Sequence, residues 1–189
     1  MNNKHPIAIM SKKPEILKSS VLATSRLFTL EQVQLEFSNG EQRTYERIIA
    51  ASNGAVMIIP VIDSSRVLMI REYSVGTDRY ELVFPKGLIE KDEAITDAAN
   101  RELMEETGRG ANSLRHIKTM TIAPGYLGFE THMVLAEDLF DKKLPGDEPE
   151  SLEIVECNID DIQALINRPD LTEARSIAAL YIARNILQG

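Results

Sequence analysis

Seven carboxylates fall between positions 90 and 106 of the chain: Glu90, Asp92, Glu93, Asp97, Glu102, Glu105 and Glu106. Ala, Leu, Met and Glu without Gly or Pro from Glu93 to Thr107 predict a helix there, stopped by Gly108. At about 100° per residue, Ile95, Ala98, Ala99 and Leu103 form one apolar stripe. Glu102 follows Ile95 by seven residues and Glu106 follows Glu102 by four, so both carboxylates lie within that stripe. Glu105 lies at its edge, one turn from Arg101. An acid-rich helix ordinarily turns its charges to water. Two carboxylates aimed into the protein body repel each other and lose solvation, which costs on the order of several kcal/mol unless a cation compensates. Hard oxygen ligands at i and i+4 suit Mg²⁺ or Mn²⁺, which keep some waters and bind substrate phosphates. No His or Cys stands beside them, which argues against zinc. Arg101 is placed to brace the carboxylates as an ion-pair partner.

The order Gly87, five residues, Glu93, seven residues, Arg101-Glu102, Leu103, one residue, Glu105-Glu106, one residue, Gly108 resembles the Nudix box. Arg109 departs from the pattern, which prefers an apolar residue there; the change should loosen packing after the helix and touches no ligand. Further stretches, among them Arg71-Glu-Tyr-Ser-Val-Gly-Thr77 and Gly146-Asp-Glu-Pro-Glu150, are similar to the branch of ADP-ribose pyrophosphatase-like enzymes. The resemblance implies an α/β/α Nudix sandwich with an N-terminal β-strand arm, a homodimer built partly by that arm, and cleavage of ADP attached to another group. ADP-ribose, NADH and diadenosine triphosphate are the implied substrates. Hydrolases of other nucleoside diphosphate derivatives, and a nucleotide-sensing module without catalysis, are the alternatives.

Diphosphate hydrolysis needs neutralised oxygens and a water delivered in line, both of which bound divalent cations supply. Glu102 and Glu106 are the candidate main ligands, and Glu105 binds directly or through water. The resemblance adds the main-chain carbonyl of Lys86. It also directs attention to the acidic loop Asp147, Glu148 and Glu150, where Glu150 suits a further metal site and Glu148 a general base, so that Glu148 and Glu105 are the catalytic candidates. An ordinary solvated loop is the other reading of that segment. Glu90 and Glu93 read as acids complementing the helix N-terminus. Arg47 and Arg71 are candidate phosphate or ribose contacts, or else salt-bridge partners. Ser74 stands where related ADP-ribose hydrolases often carry a second Arg, which fits a broader range of ADP compounds. Pro124-Gly125-Tyr126 resembles the proline-containing loop of the ADP-sugar branch, with Tyr126 able to stack on adenine or to pack a turn. His5, His116 and His132 read as incidental, and Cys157 as packing.

These groups must be positioned by a mixed α/β domain. Phe28 to Phe37 alternates with one slip after Leu30 that suggests a bulge, Asn39-Gly40 reads as a two-residue hairpin turn, and Glu41 to Ile49 runs back. Asn53-Gly54 is a second turn. Ala55–Ile62, Arg66–Tyr73 and Tyr80–Phe84 read as strands before the acidic helix, and 117–122, 132–136 and 152–157 as strands after it. Helices are expected over Ile159–Asn167 and Leu171–Leu187. Hairpins with a central and a late helix exclude a doubly wound parallel sheet. The expected organisation is an arm over residues 1–50 and a catalytic domain over 51–189.

The bulk properties agree with that chemistry. With 21 Lys+Arg against 29 Asp+Glu the 189-residue chain carries a formal charge of −8, a field that repels nucleic acid and demands local cations for any phosphate ligand. No apolar run reaches the roughly 18 residues of a membrane span, and the polar first residues lack a signal-peptide core. One cysteine excludes an intrachain disulfide. The expectation is a cytoplasmic enzyme acting on a small nucleotide, with no nucleic-acid or membrane partner.

Overall fold

The computed structural model describes residues 12–50 and 54–189; His5 and Asn53 lie outside the described residues. The elements in chain order are β1 (Glu15–Thr24), β2 (Phe28–Glu36), β3 (Gln42–Ala50), β4 (Ala55–Pro60), β5 (Arg66–Ser74), β6 (Arg79–Val83), β7 (Lys86–Leu88), α1 (Ile95–Thr107), β8 (Arg109–Thr121), β9 (Leu127–Gly128), β10 (Glu130–Asp141), β11 (Glu153–Asn158), α2 (Ile162–Ile166) and α3 (Ala174–Gln188). They form two compact units. Among the described residues, no helix is long and apolar enough to cross a membrane.

The first unit holds β1–β3 with Ala123–Gly128, in a sheet ordered β1-β2-β3-β9. The β2–β3 register is unbroken from Phe28↔Ala50 to Glu36↔Gln42, so the slip after Leu30 is not a bulge in that pair. The irregularity lies on the other side, where the β1 register shifts between Val21↔Glu31 and Ala23↔Leu30. The hairpin loop is also longer than two residues. Phe37 N–H donates to Glu41 O at 2.9 Å and Gly40 N–H to Phe37 O at 2.9 Å, which leaves Ser38-Asn39-Gly40 as the loop. Gly40 takes φ +83°, the left-handed residue that a three-residue hairpin requires.

The second unit is layered. Its central sheet runs β7-β4-β10-β8, with β4 parallel to β10 and the remaining pairs antiparallel. A parallel central pair must be covered on both faces, and Ala55–Pro60 is accordingly buried at every position. Val56, Ile58, Val134 and Ala136 face one side and pack with Ala98, Ala99 and Leu103 of α1. Met57, Ile59, Met133 and Leu135 face the other and pack with Val67, Met69, Leu82 and Cys157 of a second sheet, β11-β5-β6, and with Ala179, Leu180 and Ala183 of α3. This is the α/β/α arrangement that the resemblance to the Nudix box implies.

Several boundaries differ from the sequence expectation. Helix α1 begins at Ile95, after Ala94 in extended conformation, so Glu93 stands outside it. The later helices also start late, with the Asp161 carboxylate accepting from Ala164 N–H at 3.1 Å and Glu173 from Ser176 N–H at 2.8 Å. Capping by these acids fixes the true helix starts. Strand β8 begins at Arg109, eight residues before the expected start at 117. Its first half is polar and carries little of the period-2 signal.

Leu135 is fully buried between the two sheets. Leu135→Ala is expected to lower stability by about 2–5 kcal/mol, measured by urea unfolding, since a cavity there has rigid walls on both sides.

Candidate active site

The site is assembled by α1, by the segment joining β6 to β7, and by the loop between β10 and β11. Helix α1 buries Ala98, Ala99 and Leu103 completely, and that packing turns the same face's glutamates inward. Glu106 is only 5 % exposed. Lys86 N–H donates to its Oε2 at 3.0 Å, and among the described residues no Lys or Arg forms an ion pair with it. Burial pushes the Glu106 carboxyl up to about 8, against the opposing influence of Lys86. Burial also raises Glu102, with Arg101 opposing.

Arg101 organises the acids around it. Its Nε and Nη2 grip both oxygens of Glu93 at 2.9 and 3.0 Å, and Nη1 reaches Glu102 at 2.7 Å and Glu105 at 3.0 Å. Nη2 also donates to Leu88 O at 3.0 Å, which ties the helix to β7. Glu93 therefore serves as the bidentate anchor of Arg101 and not as a residue of the first helical turn, where Asp97 is the acid present. Arg101 lowers the Glu93 carboxyl. Glu90 N–H donates to Glu93 Oε2 at 2.9 Å.

Gly87 is required by contact. A Cβ placed on it would lie 2.0 Å from Glu102 Cδ, so the Glu102 carboxyl rests directly on bare backbone. Gly108 ends α1 with φ +69° and its N–H returns to Met104 O at 3.2 Å. Arg109, the departure from the box, is half-exposed and pairs with Asp141 at 2.6 Å.

The acidic loop meets these residues. A pocket of about 300 Å³ is lined by Glu105, Glu106, Lys143, Glu148 and Glu150, together with the loop's small residues. Burial raises the Glu148 carboxyl, and the charges of Glu72 and Asp147 add to the rise. Tyr80 Oη donates to Glu150 at 2.6 Å.

Glu72 is a site residue that sequence reasoning misses. It lies on β5, and its carboxylate pairs with Lys86 Nζ. Its charge raises both Glu106 and Glu148. The period-2 pattern of β5 carries the signal, because it sets Glu72 opposite the face of Val67 and Met69.

The remaining candidates are placed differently. Arg71 pairs with Glu153 at 2.8 Å and Asp170 at 3.1 Å. Arg47 pairs with Glu31 at 2.6 Å within the N-terminal unit, and Pro124, Gly125 and Tyr126 belong to that unit as well. Tyr126 is 59 % exposed, and its carbonyl accepts from Ile48 N–H at 2.7 Å. His116 and His132 share the Thr119 hydroxyl, at 3.2 and 2.9 Å. Cys157 is buried and its thiol is pushed up to about 11, which suits packing and not nucleophilic attack.

The residue types and placement fit a divalent cation. Glu106 is buried without an ion-pair partner among the described residues, Glu102 sits in a glycine cradle, and the side chains are hard carboxylates. Among the described residues, no three carboxylate, imidazole or thiolate groups already stand as a closed ligand set, and Arg101 holds oxygens of Glu102 and Glu105.

The profile of the NUDIX domain matches residues 52–179, and that of the NudE-type Nudix hydrolase N-terminal domain matches residues 14–47. The chain belongs to the Nudix hydrolase family. It is 47 % identical to ADP compounds hydrolase NudE of Escherichia coli (strain K12), over 94 % of this chain and 95 % of that protein. It is 29 % identical to an ADP-ribose pyrophosphatase of Bacillus subtilis (strain 168), over 87 % of this chain and 91 % of that one. A crystal structure of an ADP compounds hydrolase superposes with a TM-score of 0.87 at 46 % identity, covering 95 % of this chain and 96 % of the other. With the acids of the Nudix box all present, this is a Nudix pyrophosphatase.

Two predictions come from this geometry. Gly87→Ala forces Glu102 off its cradle and is expected to weaken Mn²⁺ binding at least about tenfold while shifting Tm by only a few degrees. Mn²⁺ titration followed by electron paramagnetic resonance checks it. Secondly, without divalent cations the folded protein keeps a proton on Glu106 up to about pH 8, whereas the unfolded chain releases it near about 4.3. The native state binds more protons across that window, so Glu106 makes stability fall as pH rises through it. Urea unfolding in chelator is therefore expected to show Glu106→Gln gaining on the parent between about pH 5.5 and 8. A constant difference would contradict the assignment.

Proposed function

We propose that the chain hydrolyses the phosphoanhydride bond of ADP linked to another group, releasing AMP and the phosphorylated remainder. The observation that carries this reading is the buried Glu106, held beside Glu102 with no Lys or Arg in an ion pair with it among the described residues. Divalent cations, Mg²⁺ or Mn²⁺, would supply charge neutralisation of the diphosphate and acidification of a bound water. Glu102, Glu106 and Glu105 would hold them, joined by the Lys86 carbonyl and by Glu150. Lys86 N–H fixes one oxygen of Glu106, and Arg101 orients Glu102 and Glu105. Glu148 would take the proton from the attacking water, a role that its raised affinity for protons suits.

The substrates are ADP-ribose, NADH and diadenosine triphosphate, which the names of the NudE and ADP-ribose pyrophosphatase relatives support in kind. Arg47, Arg71, Pro124, Gly125 and Tyr126 are proposed as substrate contacts from the family resemblance. Arg71 would then exchange its bonds to Glu153 and Asp170 for phosphate oxygens. The N-terminal strands would form a homodimer arm, a reading supported by the exposed Ile16, Leu17, Val21 and Leu22 on β1. Cytoplasmic location accords with one buried cysteine and an acidic chain.

Incubation with Mg²⁺ or Mn²⁺ and the three compounds is expected to release AMP. Tight nucleotide binding without AMP would favour a sensor. Glu106→Gln should lower turnover at least ~10²-fold, because a charge facing the transition state is lost. Glu148→Gln should lower turnover with the fold intact; near-parental rates would make the loop a simple connector.

A further inference from the structure

We propose that Tyr80 is a positioning residue that pins the acidic loop, residues 142–152, against the Glu105–Glu106 pocket through its hydrogen bond to Glu150. The inference rests on the reading of Glu148 as a working carboxylate of that pocket. The loop has neither helix nor strand, so its placement depends on discrete attachments. Its first end is fastened to the C-terminus of α1. Lys142 N–H donates to Gly108 O at 3.0 Å, Leu144 N–H to Met104 O at 3.2 Å, and Lys143 Nζ to Glu105 O.

Beyond that point lie Gly146, Asp147, Glu148, Pro149 and Glu150, the residues that line or charge the pocket. Among the described residues, the single hydrogen bond joining positions 145–152 to the rest of the protein is Tyr80 Oη to Glu150 Oε1, at 2.6 Å. A phenol donating to a carboxylate at this distance is a charge-assisted bond, about twice as strong as a neutral one.

The anchor is a half-exposed ring braced by its neighbours. The Tyr80 ring lies edge-on to Tyr73 at 5.5 Å, and Glu81 beside it is buried and bonded to Thr172. After β6 the chain passes through the fully buried Phe84 and then Pro85 to Lys86, the first residue of β7, whose N–H holds Glu106. Tyr80 therefore fixes the loop to the strand just before the segment that positions Glu106. Loss of the hydroxyl releases the stretch between Leu144 and the start of β11 at Glu153 and lets Glu148 leave its place. A displacement of about 1 Å in such a group can cost up to about 10²-fold in rate.

Tyr80→Phe keeps the ring and deletes the bond. In the full-length protein it is expected to lower kcat for ADP-ribose roughly tenfold with less than about threefold change in KM. Hydrogen–deuterium exchange should quicken in residues 145–152 and stay constant in β6. Glu150→Gln, which retains an accepting oxygen, should protect the loop better than Glu150→Ala. Tyr73→Phe, whose hydroxyl bonds Asp78 and not the loop, should leave exchange and activity unchanged. Unaltered loop exchange in Tyr80→Phe, or quickened exchange with parental kcat, overturns the proposal. Parental turnover in Glu148→Gln would instead overturn the reading of Glu148 on which it rests.

Discussion

The structure depends on holding carboxylates where water cannot solvate them. A glutamate at 5 % exposure with no ion pair among the described residues opposes folding, and α1 nevertheless turns Glu106 inward beside Glu102. Burial raises both carboxyls, the expected response of a charge moved from water into protein. The helix can accept this because Ala98, Ala99 and Leu103 on the same face are wholly buried. Apolar burial of that kind contributes about 25 cal/mol per Å², enough to offset a strained polar group. A site whose metal-free state is electrostatically costly is one whose stability rises when a cation binds.

Arg101 makes the cluster workable without removing its need for metal. It grips Glu93 through two bonds, reaches Glu102 and Glu105 with Nη1, and fastens to Leu88 O. Glu106 is left outside this network and receives the Lys86 N–H. The backbone at Gly87 then comes close enough to Glu102 that no side chain fits between them. Within the box, Glu93 is thus the anchor, Arg101 the brace, Gly87 the cradle and Glu106 the buried carboxylate. Outside the box, Glu72 holds the Lys86 ammonium, and Tyr80 secures the loop that carries Glu148.

The inward face of α1 is legible in the sequence because helical periodicity needs nothing else, and Ile95, Ala98, Ala99 and Leu103 mark the buried side whatever packs there. The alternating faces of β4 are legible in class, although its burial on both sides hides them behind a continuous apolar run. Strand β1 gives no signal, since all but one of its ten residues are exposed and neither face is selected for apolar side chains. The start of α1 is hidden because Glu93 looks like a first-turn acid, while its partner Arg101 stands eight residues away and draws it out of the helix. The hairpin loop misleads for a similar reason: Asn39-Gly40 suits a two-residue turn, and the Phe37–Glu41 pairing sets a longer one. Glu72 enters the site only once the fold brings its carboxylate to Lys86. Arg71 reads the same in sequence as a phosphate ligand and as the salt-bridge partner that the structure shows.

Proton release on cation binding addresses this account most directly. At pH 7 a carboxyl raised to about 8 is mostly protonated, and a ligand oxygen must give up that proton. Calorimetric Mg²⁺ titrations in buffers of different ionisation enthalpy are expected to show close to one proton released per protein, falling toward zero in Glu106→Gln. Saturable Mg²⁺ binding with no proton release in the parent at pH 7 would contradict the buried, cation-dependent carboxylate at the centre of the site.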